Sequence, residues 1–241
     1  MKCTKKIVGL NMLNLKEVGI NNAISNIKSG DTLMVGGFGL IGSPLTLIDA
    51  LINHSASDLT IISNNVGEAG EGLGQLLRQG KIKKAIGSYF TSNREAVQYY
   101  NEGKLEIDLL PQGTMAEAIR AGGTGIGGFY TKTAVGTDLA EGKETKVIEN
   151  ETYILEKALK ADVALIRALK ADTKGNLVYY KTARNFNPNM ATAAKYVIAE
   201  VDEIVEEGEL SPEEIVTPHL FVDAIVTSKL ILTKEGVTER G

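Results

Sequence analysis

The stretch from Thr32 to Pro44, TLMVGGFGLIGSP, runs from an apolar tetrapeptide into a glycine loop and out to a proline. Gly37, Gly39 and Gly42 stand at the spacing G-x-G-x-x-G. An apolar run that stops at glycines and resumes as a helical pattern opens an α/β unit. Residues 32–37 read as a buried strand. Residues 44–53, PLTLIDALIN, read as a helix with Ser43 as its cap and Pro44 at its first position, where the missing N–H costs nothing. Leu47, Ile48, Leu51 and Ile52 then share one face.

The same alternation continues outward. LTIIS (59–63) predicts a second strand, GLGQLLRQG (72–80) a helix stopped by Gly80, and KKAIGSYF (83–90) a third strand. NREAVQYYNEG (93–103) predicts a helix, LEIDLLP (105–111) a fourth strand, and TMAEAIRAGG a helix ending at Gly122. Strand–helix alternation implies crossover units and a mostly parallel sheet with helices on both faces, an open three-layer α/β/α class. Further on, KVIENETYILEKAL (146–159) predicts a hairpin turning near Glu149-Asn150. ADVALIRAL (161–169) and KYVIAEVDEIV (195–205) read as two more buried strands, with the helix NPNMATAAK (187–195) between them, capped by Asn187 with Pro188 first. No low-complexity linker interrupts the chain, so one domain is expected over 1–241, with an irregular extension at 1–14 and a less regular middle at 123–160.

Composition narrows the function classes. The 241 residues are 43% hydrophobic and 23% charged, an ordinary globular balance that buries a core without staples. A single cysteine, Cys3, rules out an internal disulfide and a Cys-rich zinc site, and suits a reducing cytoplasm. A net charge of −4 argues against non-specific nucleic-acid binding. No run reaches the ~18 apolar residues of a membrane span. The start MKCTKKIVGL, broken by Asn11, does not read as a signal peptide. His54 and His219 lie far apart, which leaves no Ser-His or Cys-His pair to expect.

The glycine spacing alone does not establish a dinucleotide site. That fingerprint also needs an acidic residue at the end of the second strand, to hold ribose hydroxyls. Here the second strand ends in Ser63, Asn64 and Asn65, while Asp58 precedes it, at the opposite edge of the sheet. The loop alone leaves open a close approach of backbone N–H groups to an acyl or thioester group, and a tight turn without ligand.

The wider pattern around it resembles the first (α) subunit of the class I coenzyme A transferases. SGDTLMVGGFGLIGSP matches that family at Gly30, Leu33-Met34-Val35, Gly36-Gly37-Phe38, Gly42 and Pro44, and departs at Ser29, where the family usually has Asp or Asn. TIISNN followed by GLG at 72–74 resembles its second loop. LEIDLLPQGTMAEAIRAGGTGIGGFYTKTAVGT (105–137) resembles its central block, KTARNFNPNMATAAK (181–195) a third block and VDEIVEEGELSPEEIVTP (201–218) its tail. The resemblance spans about residues 25–226. It implies a split enzyme whose nucleophilic glutamate sits on a second (β) subunit in a Ser-Glu-Asn-Gly type motif. This sequence has no such motif, and at 241 residues it is short for the fused form. Glu68 in GEAGEG (67–72) is the nearest candidate nucleophile and is read as a solvated loop residue.

By that resemblance, coenzyme A moves between a short-chain acyl-CoA (acetyl-CoA or butyryl-CoA) and a carboxylate such as acetoacetate or acetate. The thioester is then a substrate, and no metal or redox cofactor is expected. Gln112 in PQGT, beside Gly113, is the first choice for supporting the oxyanion or substrate, because its amide donates without bringing charge. Gly36, Gly37, Phe38, Gly39 and Gly42 are expected to line the acyl pocket, through backbone and the Phe38 ring. Asn64 and Asn65 could contact substrate or hold the turn. Arg184 could pair with a carboxylate or a CoA phosphate, whereas Arg120, in the last turn of its helix, is read as structural. GGTGIGGFYTKT (122–133) reads as a mobile glycine loop over the site or at the interface between subunits; Gly127-Gly128 and Lys132 replace prolines common in relatives. A shared site predicts an α₂β₂ or larger heteromer, with the isolated chain free to self-associate through the same surface. The rivals are a sugar-phosphate isomerase or deaminase of the same fold, and a ligand-sensing relative that lost catalysis.

Overall fold

A computed structural model describes residues 16–240. The expected extension at 1–14, and with it Cys3, lies outside the described residues.

After a short helix α1 (Ile20–Ile24), strands and helices alternate: β1 (Thr32–Val35), α2 (Leu45–Ile52), β2 (Leu59–Ile62), α3 (Leu73–Arg78), β3 (Ile82–Gly87), α4 (Arg94–Asn101), β4 (Glu106–Leu109) and α5 (Gln112–Thr124). A small antiparallel sheet follows, built from β5 (Gly128–Thr131), β6 (Thr145–Ile148) and β7 (Glu151–Lys157) in the order β5-β7-β6. The chain then returns to the main sheet with β8 (Ala161–Asp172), β9 (Leu177–Val178), α6 (Asn187–Thr192), β10 (Ala194–Val205) and β11 (Ala224–Thr227). It ends in the hairpin β12 (Leu230–Thr233) and β13 (Gly236–Glu239). The main sheet runs β11-β10-β8-β1-β2-β3-β4, parallel throughout, with β9 antiparallel on the extended end of β8.

Both faces are covered, as the near-continuous apolar strands require. Leu33, Val35, Ile61 and Leu165 point to the side packed by α1–α4, with Ile24, Leu47, Leu51, Leu76 and Ala96 facing them. The intervening Met34, Ile62, Ala164 and Ile166 point the other way, onto Met115 and Ile119 of α5 and Met190 of α6. This is period-two alternation of a strand buried on both sides.

Several local expectations need correction. Pro44 occupies the cap position of α2, and Ser43 makes no capping bond. The amides of Thr46 and Leu47 donate instead to the Glu200 carboxylate, at 2.9 and 3.1 Å, from the distant strand β10. Helix α5 runs past Gly122 to Thr124 and stops at the left-handed Gly125. Gly122 and Gly123 are there for packing: side chains on them would overlap the Leu159 carbonyl and the Thr192 hydroxyl. Arg120, inside this longer helix, pairs with Glu117 at 2.7 Å. Phe186, not Asn187, holds the cap position of α6. Strand β3 stops at Gly87, because the amides of Ser88 and Tyr89 turn to the Asn64 carbonyl. The middle of the chain is regular, and part of the expected loop 122–133 is strand β5, paired with β7. The hairpin turn at Glu149-Asn150 holds, with both residues at positive φ (51° and 63°). The hairpin β12–β13 has no counterpart among the elements read from sequence.

Candidate active site

The first four strands all end at one edge of the sheet, where parallel sheets carry their ligand loops. The chain order reverses between β1 and β8, so the switch point of the sheet opens beside the glycine loop. A cavity of about 340 Å³ lies there, lined by Ile41, Gly42, Ser43, Arg167, Tyr180 and Leu232 among others.

On the loop itself, the amides expected to face an acyl group are engaged within the protein. Gly36 N donates to Leu165 O at 3.0 Å and Phe38 N to Ile41 O at 3.0 Å. Gly37 N donates to Asn185 Oδ1 at 3.1 Å. What the loop presents outward is the Phe38 ring, 50% exposed, and Ile41, 53% exposed. Gly36 has to be glycine because a Cβ would overlap Asn187 Oδ1. A Cβ on Gly42 would overlap the carbonyl of Ala183. Gly39 sits at the loop tip, where the nearest atom to a Cβ would be Glu68 Oε1, at 3.9 Å.

The second strand delivers the polar part of the site. Asn64, 1% exposed, donates from Nδ2 to Ser88 Oγ at 2.9 Å and to Gln112 Oε1 at 3.3 Å. One buried amide thus joins the ends of β2 and β3 to the first turn of α5. Because Gln112 Oε1 accepts from Asn64, its Nε2 donors are turned away from that contact. Gln112 and Gly113 are both exposed, and the space beside Gly113 is open. Asn65 Oδ1 accepts from Gly67 N at 3.0 Å, closing a turn in the loop after β2. Asn64 and Gln112 therefore come together, whereas Asn65 serves its own backbone.

Arg184 is exposed at the end of a 3₁₀ turn, Lys181–Arg184, which lies against the glycine loop through Ala183 O. Nearby, burial pushes the Tyr179 phenol well above its ordinary range, against the opposing pull of Thr217 and Arg184. Tyr179 stays protonated and bonds Thr217 Oγ1 at 2.7 Å.

Beneath the cavity at the switch point, Arg167 pairs with Glu200 at 3.1 Å and also with Asp202, which Arg240 reaches from the C-terminal end. Glu200 is fully buried and also accepts from Ser228 Oγ at 2.8 Å. Burial pushes its carboxyl above the usual range, while Arg167, Ser228 and the α2 amides pull it back. Arg167, Glu200, Ser88 and the asparagines of RNFN are functional-site neighbours that the sequence pattern does not single out. Only membership of the block KTARNFNPNMATAAK marks the last of these.

Residues 18–228 match the family model for coenzyme A transferase. This chain belongs to the coenzyme A transferase family. Within it, the chain is of the α-subunit type. It is 54% identical over 200 residues to the α-type subunit of the succinyl-CoA:3-ketoacid coenzyme A transferase of Xanthomonas campestris pv. campestris (strain B100), covering 83% of each chain. It is 44% identical over 217 residues to the alpha subunit of the acetate CoA-transferase of Escherichia coli K12, covering 90% of this chain and 99% of that one. Among solved structures, the fold is similar to an acyl-CoA transferase from E. coli O157:H7 in a thioester complex with CoA. The TM-score is 0.79 at 21% identity, over 89% of this chain and 47% of that one. The chain thus spans about half the length of that structure's chain. Family membership sets aside the isomerase and deaminase readings. No helix among the described residues is long and apolar enough to cross a membrane.

Proposed function

We propose that this coenzyme A transferase chain works with a β subunit, which supplies the nucleophile, to exchange CoA between a short-chain acyl-CoA and a carboxylate. The partner's glutamate carboxylate attacks the thioester carbonyl, and the C–S bond breaks to leave a mixed anhydride and CoA thiolate. The thiolate attacks the glutamyl carbonyl, releasing the acyl group as a free carboxylate and leaving a glutamyl-CoA thioester. An acceptor carboxylate then takes the CoA by the same steps reversed. The sequence of steps is redox-neutral and calls for no metal or cofactor; covalent catalysis splits one hard exchange into easier ones.

In this scheme Gln112 Nε2 donates to the oxyanion of each tetrahedral intermediate, where one well-placed donor contributes about 2.7–4 kcal/mol. Phe38 and Ile41 offer an apolar wall to the acyl end, and Arg184 offers a bidentate partner for a carboxylate or CoA phosphate. What most supports the reading is the Asn64–Gln112 contact. It fixes an uncharged donor at the edge of the sheet, in a chain without the Ser-Glu-Asn-Gly motif. The relatives named above differ in their acids, so the reading covers 3-oxoacids and acetate- or butyrate-type acids alike. A cytoplasmic α₂β₂ or larger heteromer fits this scheme.

The test follows loss of the acetyl-CoA thioester with acetoacetate as acceptor, for this chain alone and mixed with its β subunit. Exchange in the mixture alone is expected. Exchange by this chain alone would overturn the split site, and inactivity of the mixture with every short-chain acid tried would favour a non-catalytic role.

A further inference from the structure

The segment Arg184-Asn185-Phe186-Asn187 has only Arg184 assigned a part in the exchange, yet its asparagines reach across the fold to grip the glycine loop. Asn185 Oδ1 accepts from Gly37 N at 3.1 Å and from Phe186 N at 2.7 Å. Its Nδ2 donates to Ile41 O at 3.0 Å and to Ala183 O at 3.1 Å. Asn187, fully buried, accepts from Arg167 N at 2.8 Å and donates to Gly42 O at 3.0 Å. The loop is held at Gly37, Ile41 and Gly42, on both sides of the tip that exposes Phe38 and Ile41.

The backbone of Asn185 adds a second, independent observation. Its φ of 25° and ψ of −119° lie outside the regions that residues with side chains ordinarily occupy. A glycine would sit there more easily. Strain of this kind persists where the surroundings over-determine it, and it clusters at functional sites. Here the amide of Asn185 over-determines it: both of its ends are bonded, and a relaxed backbone would swing it off the loop.

We propose that Asn185 is a positioning residue for the exchange. It fixes the tip of the glycine loop, and with it Phe38 and Ile41, in the conformation that receives the acyl end of the thioester. This rests on the reading that the loop lines the acyl side of the site. Asn187 anchors the same loop from the buried side, and its contact with Gly36 explains why that position has no side chain.

The decisive variant is Asn185→Gly, which removes the clamp and relieves the strained backbone together, so that folding is retained. In the enzyme reconstituted with the β subunit, the expected result is unchanged assembly and melting temperature. kcat falls about 10- to 100-fold, as expected for a misplacement on the order of 1 Å, with a smaller change in KM. In the isolated chain, hydrogen exchange of the Gly37 amide accelerates. Asn185→Asp keeps the acceptor for Gly37 and loses the donor to Ile41, so it is expected to keep Gly37 protected while kcat still falls. Wild-type kcat in Asn185→Gly, or unchanged exchange at Gly37, overturns the proposal. If the wild-type mixture shows no exchange at all, the functional reading fails instead, and Gly37 protection still decides whether the clamp holds the loop.

Discussion

Replacing Gln112 with alanine should cut turnover without unfolding the protein, and the structure sets the size of each effect. The side chain is exposed, and among the described residues its hydrogen-bond partner is Asn64 Nδ2, at 3.3 Å. Asn64 keeps Ser88 Oγ, at 2.9 Å, when Gln112 is truncated, so no buried group is orphaned. The stability loss should therefore stay near or below ~1 kcal/mol, the net contribution of an ordinary hydrogen bond. An oxyanion donor is worth far more in the transition state, on the order of 10²- to 10³-fold in kcat. Gln112→Glu makes the sharper control: it preserves the oxygen that Asn64 holds and removes the donor. Initial rates of thioester exchange in the reconstituted enzyme, with thermal melts of the same samples, separate the two effects. Asn64→Ala should lose about tenfold by releasing the amide, and the double variant should match Gln112→Ala alone, because the two act as one unit. A Gln112→Ala enzyme within about threefold of wild-type kcat would refute the assignment, since no oxyanion donor is so dispensable.

Other consequences are accessible to simple assays. Glu200→Ala leaves Arg167 with only Asp202 and strips the carboxylate from the α2 amides. A cost of roughly 3–5 kcal/mol in urea unfolding is expected for breaking a fully buried pair, and a cost below ~1 kcal/mol would show that the network is not structural. Asp162 is held below the usual carboxylate range by Lys195, at 2.8 Å, and by the Thr32 amide, at 3.0 Å. Its contribution is present above the ordinary Asp value of about 3.9 and is lost as pH falls through its lower folded value. The melting-temperature gap between wild type and Asp162→Asn should close on acidification, and a gap constant with pH would contradict the pairing. Glu68→Gln should leave exchange within about threefold of wild type, whereas a loss of 10²-fold or more would make this glutamate the nucleophile.

The fold was largely legible because its signals are local. Four apolar runs from Thr32 to Leu109, each followed by a helical pattern, set the parallel sheet, and Met34 and Val35 show both faces buried. The boundaries failed where a distant group replaced the local rule. Ser43 and Asn187 have the right identity for caps, yet Glu200 reaches the first helix from β10, and Asn187 is drawn to the glycine loop. Gly122 looked like a stop signal and is a packing contact, because Leu159 lies against it. None of these partners is near in sequence, and periodicity carries no information about them.

The candidate site divides the same way. Gln112 could be singled out because the block around it resembles a family pattern, but its orientation depends on Asn64, 48 residues away. The glycine loop shows why composition alone under-determines a site. The loop after β2 repeats its construction: Glu68 bridges to Glu71 as Phe38 bridges to Ile41, and Gly67, Gly70 and Gly72 take positive φ as Gly37, Gly39 and Gly42 do. The backbones are alike, yet one loop presents an aromatic ring and an isoleucine, and the other two carboxylates. The first is further distinguished by an asparagine 148 residues downstream of Gly37 that holds it at the expense of its own backbone geometry. Glycines permit both loops, but what each loop can do is decided by the side chains at its tip and by the groups that clamp it from elsewhere in the chain.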